Sequence, residues 1–204
     1  AQEYDPSLAG QAMWYMTNDQ EKMIKTTTHS DADRYLCGTA LPDLYGGFGT
    51  SLNWKGIDFS INFGFQIGGK VYYSDYHSYM SNPYSQHRGY AMHADMLNAW
   101  SPENKDSNIP VLRYGDNTAN DTSDRFLING SYLSINNINL GYSIPKSFLR
   151  SIGIANLRVY ASADNVFVWS KRQGLDPRQS ITGSIPNRYY APIRSISGGV
   201  TITF

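Results

Sequence analysis

The sequence predicts an all-β protein: antiparallel strands that cross a membrane as one stretch of a barrel wall, joined by connections that are short and long by turns. Three observations carry this expectation. From Ile57 to Gly68 the stretch "IDFSINFGFQIG" alternates apolar residues with polar ones or glycine without an error. That is the period-two signature of a strand with one apolar and one wet face. The long connections exceed what a compact soluble domain ordinarily contains, whereas outer-membrane barrels alternate short turns with long loops. Finally, the faces opposite the apolar ones carry Ser, Asn, Thr, Gln and Gly, with few charges such as Asp58 and Arg158. A sheet face open to bulk solvent would ordinarily be richer in Lys, Glu and Arg.

Five strands follow from the alternation. The first covers Gly46 to Lys55, with Phe48, Leu52 and Trp54 in phase. Gly56 turns it tightly into the second, the alternating stretch from Ile57. The third runs from Ser131 to Tyr142 and changes phase: Leu133 and Ile135 keep one parity, Ile138, Leu140 and Tyr142 the other. A bulge near Asn136 and Asn137 reconciles them. The fourth, Asn156 to Phe167, places Leu157, Val159, Ala161 and Ala163 together, and the fifth, Pro192 to Phe204, does the same for Ile196, Val200, Ile202 and Phe204. The third and fourth are joined by "SIPKSFLRSIGIA", with a helical turn expected after Pro145. Ala1–Tyr45, Lys70–Gly130 and Val168–Ala191 read as long non-strand segments. Within the second, Gln86 to Trp100 reads as a helix with Tyr90, His93, Leu97 and Trp100 on one face, ended by Pro102.

An apolar strand face can meet lipid or a second sheet. Lipid is favoured by Trp54 and Tyr142 at the short-turn ends of their strands, where aromatic rings prefer the membrane–water boundary. It is also favoured by Phe204, an aromatic in phase with the apolar face, which resembles the terminal signal of outer-membrane barrels. The residues expected to face lipid are Phe48, Leu52, Trp54, Ile57, Phe59, Ile61, Phe63, Phe65, Ile138, Leu140, Tyr142, Leu157, Val159, Val200, Ile202 and Phe204.

Composition narrows the function classes. Charged residues are 17% of the 204, and 17 basic balance 17 acidic, so no nucleic-acid partner is expected. No apolar run is long enough for a transmembrane helix. Cys37 is the only cysteine, so neither an internal disulfide nor a Cys/His metal cluster is expected. The opening "AQEYDPSLAG" lacks the pattern of a signal peptide. His29, His77, His87 and His93 read as solvated or loop-packed rather than as metal ligands. "DNTANDTSD", Asp116 to Asp124, is rich in oxygen ligands but lacks the glycine and closing Glu of an EF-hand. It reads as a polar loop tip, with calcium in that loop the only cofactor entertained. The Gly68–Lys70 "GGK" is not a phosphate loop, and no catalytic residue or enzyme activity is expected. Binding is better sought in aromatics on the long connections, because aromatic faces stack on sugars while polar neighbours fix orientation. Trp100, Tyr114, Trp169, Tyr189 and Tyr190 are the candidates, with Arg172, Asp176 and Arg178 as candidates to line a vestibule.

Four blocks resemble the C-terminal part of SusC/RagA-type TonB-dependent transporters of Bacteroidetes. They are "LPDLYGGFGTSLNWKGIDFSINFGFQIGGKVY", "ADMLNAWSPENKDSNIPVLRYGDN", "DRFLINGSYLSINNINLGYSIPKSFL" and "NLRVYASADNVFVWSKRQGLDPRQS"; the closing "RSISGGVTITF" is similar to that family's typical end. The resemblance covers nearly all of Leu41 to Phe204. It implies an antiparallel transmembrane β-barrel segment, about five C-terminal strands of a barrel of roughly 22 strands with a plugged lumen. It further implies cell outer-membrane localisation, and nutrient uptake (glycan, or peptide/oligosaccharide) with a SusD-like surface lipoprotein. The TonB complex would engage through an N-terminal plug absent from this chain. Outer-membrane lipid and the remainder of the barrel chain are the other implied partners, since five strands leave open edges that lipid does not tolerate. The corresponding division is residues 1–45 as an extracellular loop segment and 46–204 as barrel strands with long extracellular loops, one carrying a short helix. The alternatives are a soluble β-sandwich carbohydrate-binding module, its apolar faces buried against a second sheet, and a passive porin segment.

Overall fold

The computed structural model describes residues 8–18, 20–80, 91–113, 121–150, 153–171, 176–179 and 192–204. Along the chain these form β1 (Trp14–Thr17), β2 (Met23–Thr26), β3 (Leu44–Trp54), β4 (Ile57–Ile67), β5 (Lys70–Tyr72), α1 (Ser74–Tyr79), β6 (Leu127–Asn129), β7 (Tyr132–Ser143), α2 (Lys146–Leu149), β8 (Asn156–Ser170) and β9 (Ser195–Thr203). Short 3-10 turns lie at His29–Asp31, Ala94–Asn98, Asp124–Phe126 and Pro177–Gln179. The chain divides into two compact units. One comprises Ala1–Cys37 and Tyr73–Leu127, the other Gly38–Tyr72 and Ile128–Phe204.

The second unit is an antiparallel five-stranded sheet in the order β3-β4-β7-β8-β9. Lys55 and Gly56, at φ of 48° and 88°, make the two-residue turn between β3 and β4; positive φ at both positions is what a twisted hairpin requires. The expected bulge is present: Asn62 pairs with Asn137 and Phe63 with Ile135, leaving Asn136 over. On the other side of β7, Ile135 faces Phe167 and Asn137 faces Asp164. Asn165 there has φ 50°, a conformation that asparagine tolerates better than most residues. These insertions let Leu133 and Ile135 share a face with Ile138, Leu140 and Tyr142 despite their opposite parity. The turn after Pro145 is α2, which buries Leu149.

Register places the apolar residues in continuous rows. Trp54, Ile57, Tyr142, Val159 and Val200 form one row, and Leu52, Phe59 and Leu140 the next. Phe48 stacks on Phe63 at 4.8 Å. Phe48, Leu52, Trp54, Leu140, Val159, Val200 and Ile202 remain 46–60% exposed, so no second sheet covers this face among the described residues.

The other unit is built around aromatic rings. Phe126 and Tyr76 are buried with Met80 and Ile109. His77 packs on Phe126 at 4.5 Å, and His93 meets Tyr76 edge-on at 4.8 Å.

Three expectations are corrected. Ala1–Tyr45 is not free of strands: β1 and β2 form a ribbon pairing Tyr15 with Lys25, and β3 begins at Leu44. Both ribbon strands are only four residues long, too short for alternation to reveal them. Secondly, β8 runs on to Ser170, because Phe167 and Trp169 pair with Ile135 and Leu133. Finally, the helix expected over Gln86–Trp100 is reduced, within the described residues, to the 3-10 turn Ala94–Asn98; Gln86–Tyr90 lie outside them. The His93 side chain accepts from the Asp95 N–H, and Ala99 is extended. The chain then bonds Trp100 N–H to the Ile109 carbonyl at 2.9 Å. Leu97 is 89% exposed, whereas His93 packs on Tyr76 and Trp100 against Gly10, so these residues do not form one helical face.

Candidate functional site

Two regions have the geometry to do something: the polar face of the sheet, and a cleft in the aromatic-centred unit.

On the polar face, Arg158 of β8 reaches over Gly141 of β7 to Asp58 of β4. Its Nε donates to Asp58 Oδ1 at 3.1 Å and its Nη2 to Oδ2. The guanidinium also lies 5.2 Å from the Tyr160 ring, which occupies the space over Gly199. Farther along, Asn137 donates to Asp164 at 2.6 Å and Asn139 to Ser60 at 3.2 Å. Small and long polar side chains therefore interlock, so the face needs few charges.

At the bulge, Ser134 is 1% exposed and lies within hydrogen-bonding range of the Gly64 carbonyl (3.1 Å) and Asn136 Oδ1 (2.8 Å). Arg178 reaches the same amide oxygen at 3.5 Å while its Nε and Nη2 grip Asp176 at 2.9 and 2.6 Å. That carboxylate raises the Arg178 guanidinium above the usual arginine range, against the opposing effect of burial. Asp176–Gln179 is thereby tied to the polar side of the sheet.

The cleft occupies about 760 Å³, within the range of small-ligand sites. It is lined by Gly10–Tyr15 and Ser107–Pro110, with Lys25, Trp100, Lys105, Asp121 and Ser123–Arg125. Gly10 (φ 78°) lets its segment close on the Trp100 ring, and its carbonyl accepts from the Val111 N–H at 2.8 Å. Arg113 donates to the Ala9 carbonyl at 3.0 Å. The acidic side is held from behind. Tyr35 donates to Asp124 Oδ2 at 2.6 Å, and this carboxylate pushes the Tyr35 phenol up to about 12. His29 lies 3.9 Å from Asp121 and 3.1 Å from the Thr122 carbonyl, with Trp14 packed edge-on at 5.3 Å. Arg125 stays open to solvent, yet the surrounding protein pulls its guanidinium below the usual arginine range.

Of the residues expected to bind ligand, Trp100 lines the cleft. Trp169 does not sit in a loop: it is on the apolar face of β8, beside Phe167 at 4.6 Å, because β8 continues to Ser170 and keeps its odd residues on that face. Tyr114, Arg172, Tyr189 and Tyr190 lie outside the described residues. The calcium candidate is only partly described, since residues 116–120 lie outside; among the described residues no cluster of three metal-ligating groups occurs. His87 is likewise outside. The cleft residues that the sequence reading missed are chiefly Tyr15, Lys25, Lys105, Asn108 and Arg125. "WYMTNDQEKMIKT" carried the one available signal, two β-prone runs around a turn-forming Asn-Asp pair.

No family model matches the chain. Curated relatives do. TonB-dependent receptor P26 of Formosa agariphila is 29% identical over 98% of this chain and 20% of its own length. TonB-dependent receptor P3 of the same organism is 32% identical over 72% of this chain and 14% of its own length. TonB-dependent receptor SusC of Bacteroides thetaiotaomicron is 29% identical over 74% of this chain and 14% of its own length. Among solved structures, the RagAB peptide importer in its open-open state superposes with a TM-score of 0.75 at 26% identity, covering 96% of this chain and 21% of the other.

The chain belongs to the SusC/RagA-type TonB-dependent receptors.

It spans a fifth or less of the length of the curated relatives it matches.

Proposed function

We propose that this chain is a stretch of the wall, with its outward loops, of an outer-membrane importer that takes up glycans or peptides using energy delivered through TonB. One observation carries the reading: a bare apolar face continuous over five strands, backed by a polar face whose groups satisfy one another. Such a sheet is stable where hydrocarbon wets one side and an aqueous lumen the other. Trp54 and Tyr142 form an aromatic row at the short-turn end, and Phe167 and Trp169 lie toward the other end. The Ile57 and Phe65 rows are about 27 Å apart along β4 at the usual strand rise, which at a tilt of about 40° covers about 21 Å of the roughly 25 Å apolar band of an outer-membrane barrel. The plug and the TonB-contacting segment would belong to other parts of the full-length protein. A SusD-like lipoprotein would sit over the loops.

The full-length protein tests this. It is expected in the outer-membrane fraction with heat-modifiable mobility in gels, to copurify with a surface lipoprotein, and to support uptake that stops when TonB is deleted. Recovery in the soluble periplasm would overturn the reading, and uptake indifferent to TonB would replace it with a passive pore.

A further inference from the structure

The cleft between Gly10–Tyr15 and Ser107–Pro110 has an unbalanced lining. Lys25, Lys105 and Arg125 supply three cations, Asp121 and Asp124 two carboxylates. The two carboxylates already have neighbours in His29 and Tyr35. The three cations have no ion pair among the described residues; Arg125 only lies over the Phe126 ring at 5.7 Å. Three cations against two carboxylates leave the lining with one net positive charge, which a ligand's anion would relieve.

The uncharged part of the lining indicates what carries that anion. Tyr15 is 58% exposed and stands directly opposite Lys25 in the β1–β2 ribbon, so both side chains rise from the same side of the ribbon. Asn108, Ser107 and the two carboxylates add acceptors and donors suited to hydroxyl groups. A peptide would instead seek an open strand edge. At β1 that edge is occupied: the Tyr15 carbonyl accepts from the Asp33 N–H at 3.0 Å, and Thr17 donates to the Asp33 carboxylate at 2.6 Å.

We propose that this cleft binds an acidic oligosaccharide, its carboxylate or sulfate seated among Arg125, Lys105 and Lys25 and a sugar ring laid against Tyr15. The proposal names a substrate class for the importer reading and rests on it, but binding can be measured without transport.

The test uses the full-length receptor in detergent, titrated calorimetrically with matched probes. These are trigalacturonate and its carboxyl-reduced form, a sulfated galactan oligosaccharide and its desulfated form, and an acidic pentapeptide. At least one acidic sugar is expected to bind, more weakly in 0.5 M salt, with its neutral counterpart at least tenfold weaker; which acid binds separates carboxylate from sulfate. Arg125→Gln and Lys105→Gln should each weaken binding roughly ten- to hundredfold, the range for a lost charge-assisted contact. Arg125→Lys should lose less. If Arg125→Gln alters heat-modifiable mobility, the exposed Lys105→Gln decides. Equal binding of neutral sugars, tighter binding of the peptide, failure of both acidic sugars, or indifference to Lys105→Gln would each overturn the assignment. Neutral-sugar binding with intact TonB-dependent uptake removes this inference and leaves the importer standing. Acidic-sugar binding without uptake does the reverse.

Discussion

Arg158 grips Asp58 across the full width of an intervening strand, and it does so because β7 places Gly141 beneath the contact. A Cβ at that position would lie 2.5 Å from both Asp58 carboxylate oxygens. Gly141→Ala should therefore destabilise the protein by about 1–3 kcal/mol through crowding, read as a lower temperature for loss of heat-modifiable mobility. Asp58→Asn, which keeps the shape and removes the charge, should have a smaller effect in the same direction. A Gly141→Ala protein as stable as the parent would show that the pair does not depend on the glycine.

Charge on the bare face separates lipid from water as its neighbour. Phe59→Arg or Leu140→Arg, one row in from the aromatic boundary, should cost about 1–2 kcal/mol, less than at the membrane midplane, and reduce assembled protein in the outer-membrane fraction. Ser197→Lys, on the opposite face, should assemble nearly normally. Equal tolerance of all three would mean that hydrocarbon does not touch Phe59 and Leu140.

The Tyr35–Asp124 contact predicts a pH effect. The carboxylate holds the phenol protonated, with its pKa pushed up to about 12. Its contribution to stability is complete below the ordinary tyrosine range near pH 10 and is lost as pH climbs toward 12. The ultraviolet difference titration between wild type and Tyr35→Phe should show one late-ionising tyrosine, which Asp124→Asn moves back toward the ordinary range. A difference curve centred near pH 10 in the wild type would refute the contact.

Gly10 positions the Trp100 ring. Its φ of 78° is strained for any side chain, and an added Cβ would fall 2.5–2.7 Å from the indole. Gly10→Ala should cost about 1–3 kcal/mol from crowding alone, shift tryptophan emission, and weaken whatever the cleft binds. An unchanged emission spectrum would show that the wall does not close on Trp100 in solution.

The polar strap at Asp176–Gln179 offers a further check. Arg178→Gln removes the fork to Asp176 and the reach to Asn136. Protease should then cut near Asp176 sooner in the variant than in the wild type, while heat-modifiable mobility stays the same. Identical cleavage would show that the fork does not hold the segment.

Much of the sheet was legible in the chain itself. Period-two alternation assigned Phe48, Phe59, Leu140, Val159 and Val200 to one face, because successive strand residues point to opposite sides whatever their partners are. The change of parity between Ile135 and Ile138 located the bulge at Asn136, since only an extra residue lets both lie on the same side. Trp169 was misread because the strand was ended at Phe167; β8 continues to Ser170 through its pairing with β7, and Trp169 keeps the odd phase of Val159.

The loop unit was far less legible. Spacing suggested that Tyr90, His93, Leu97 and Trp100 shared a helical face, but the Trp100–Ile109 hydrogen bond closes that chain into a turn-rich loop instead. Local sequence determined the strands, their wet and dry sides and the tight turn at Lys55–Gly56, all of which arise from a residue and its near neighbours. Only the tertiary structure decided that Gly10 meets Trp100, that Tyr15 stands beside Lys25, and that Arg125 shares a cleft with both. Those contacts join positions far apart in the chain, and which of the many possible closures is realised depends on packing that no local period encodes.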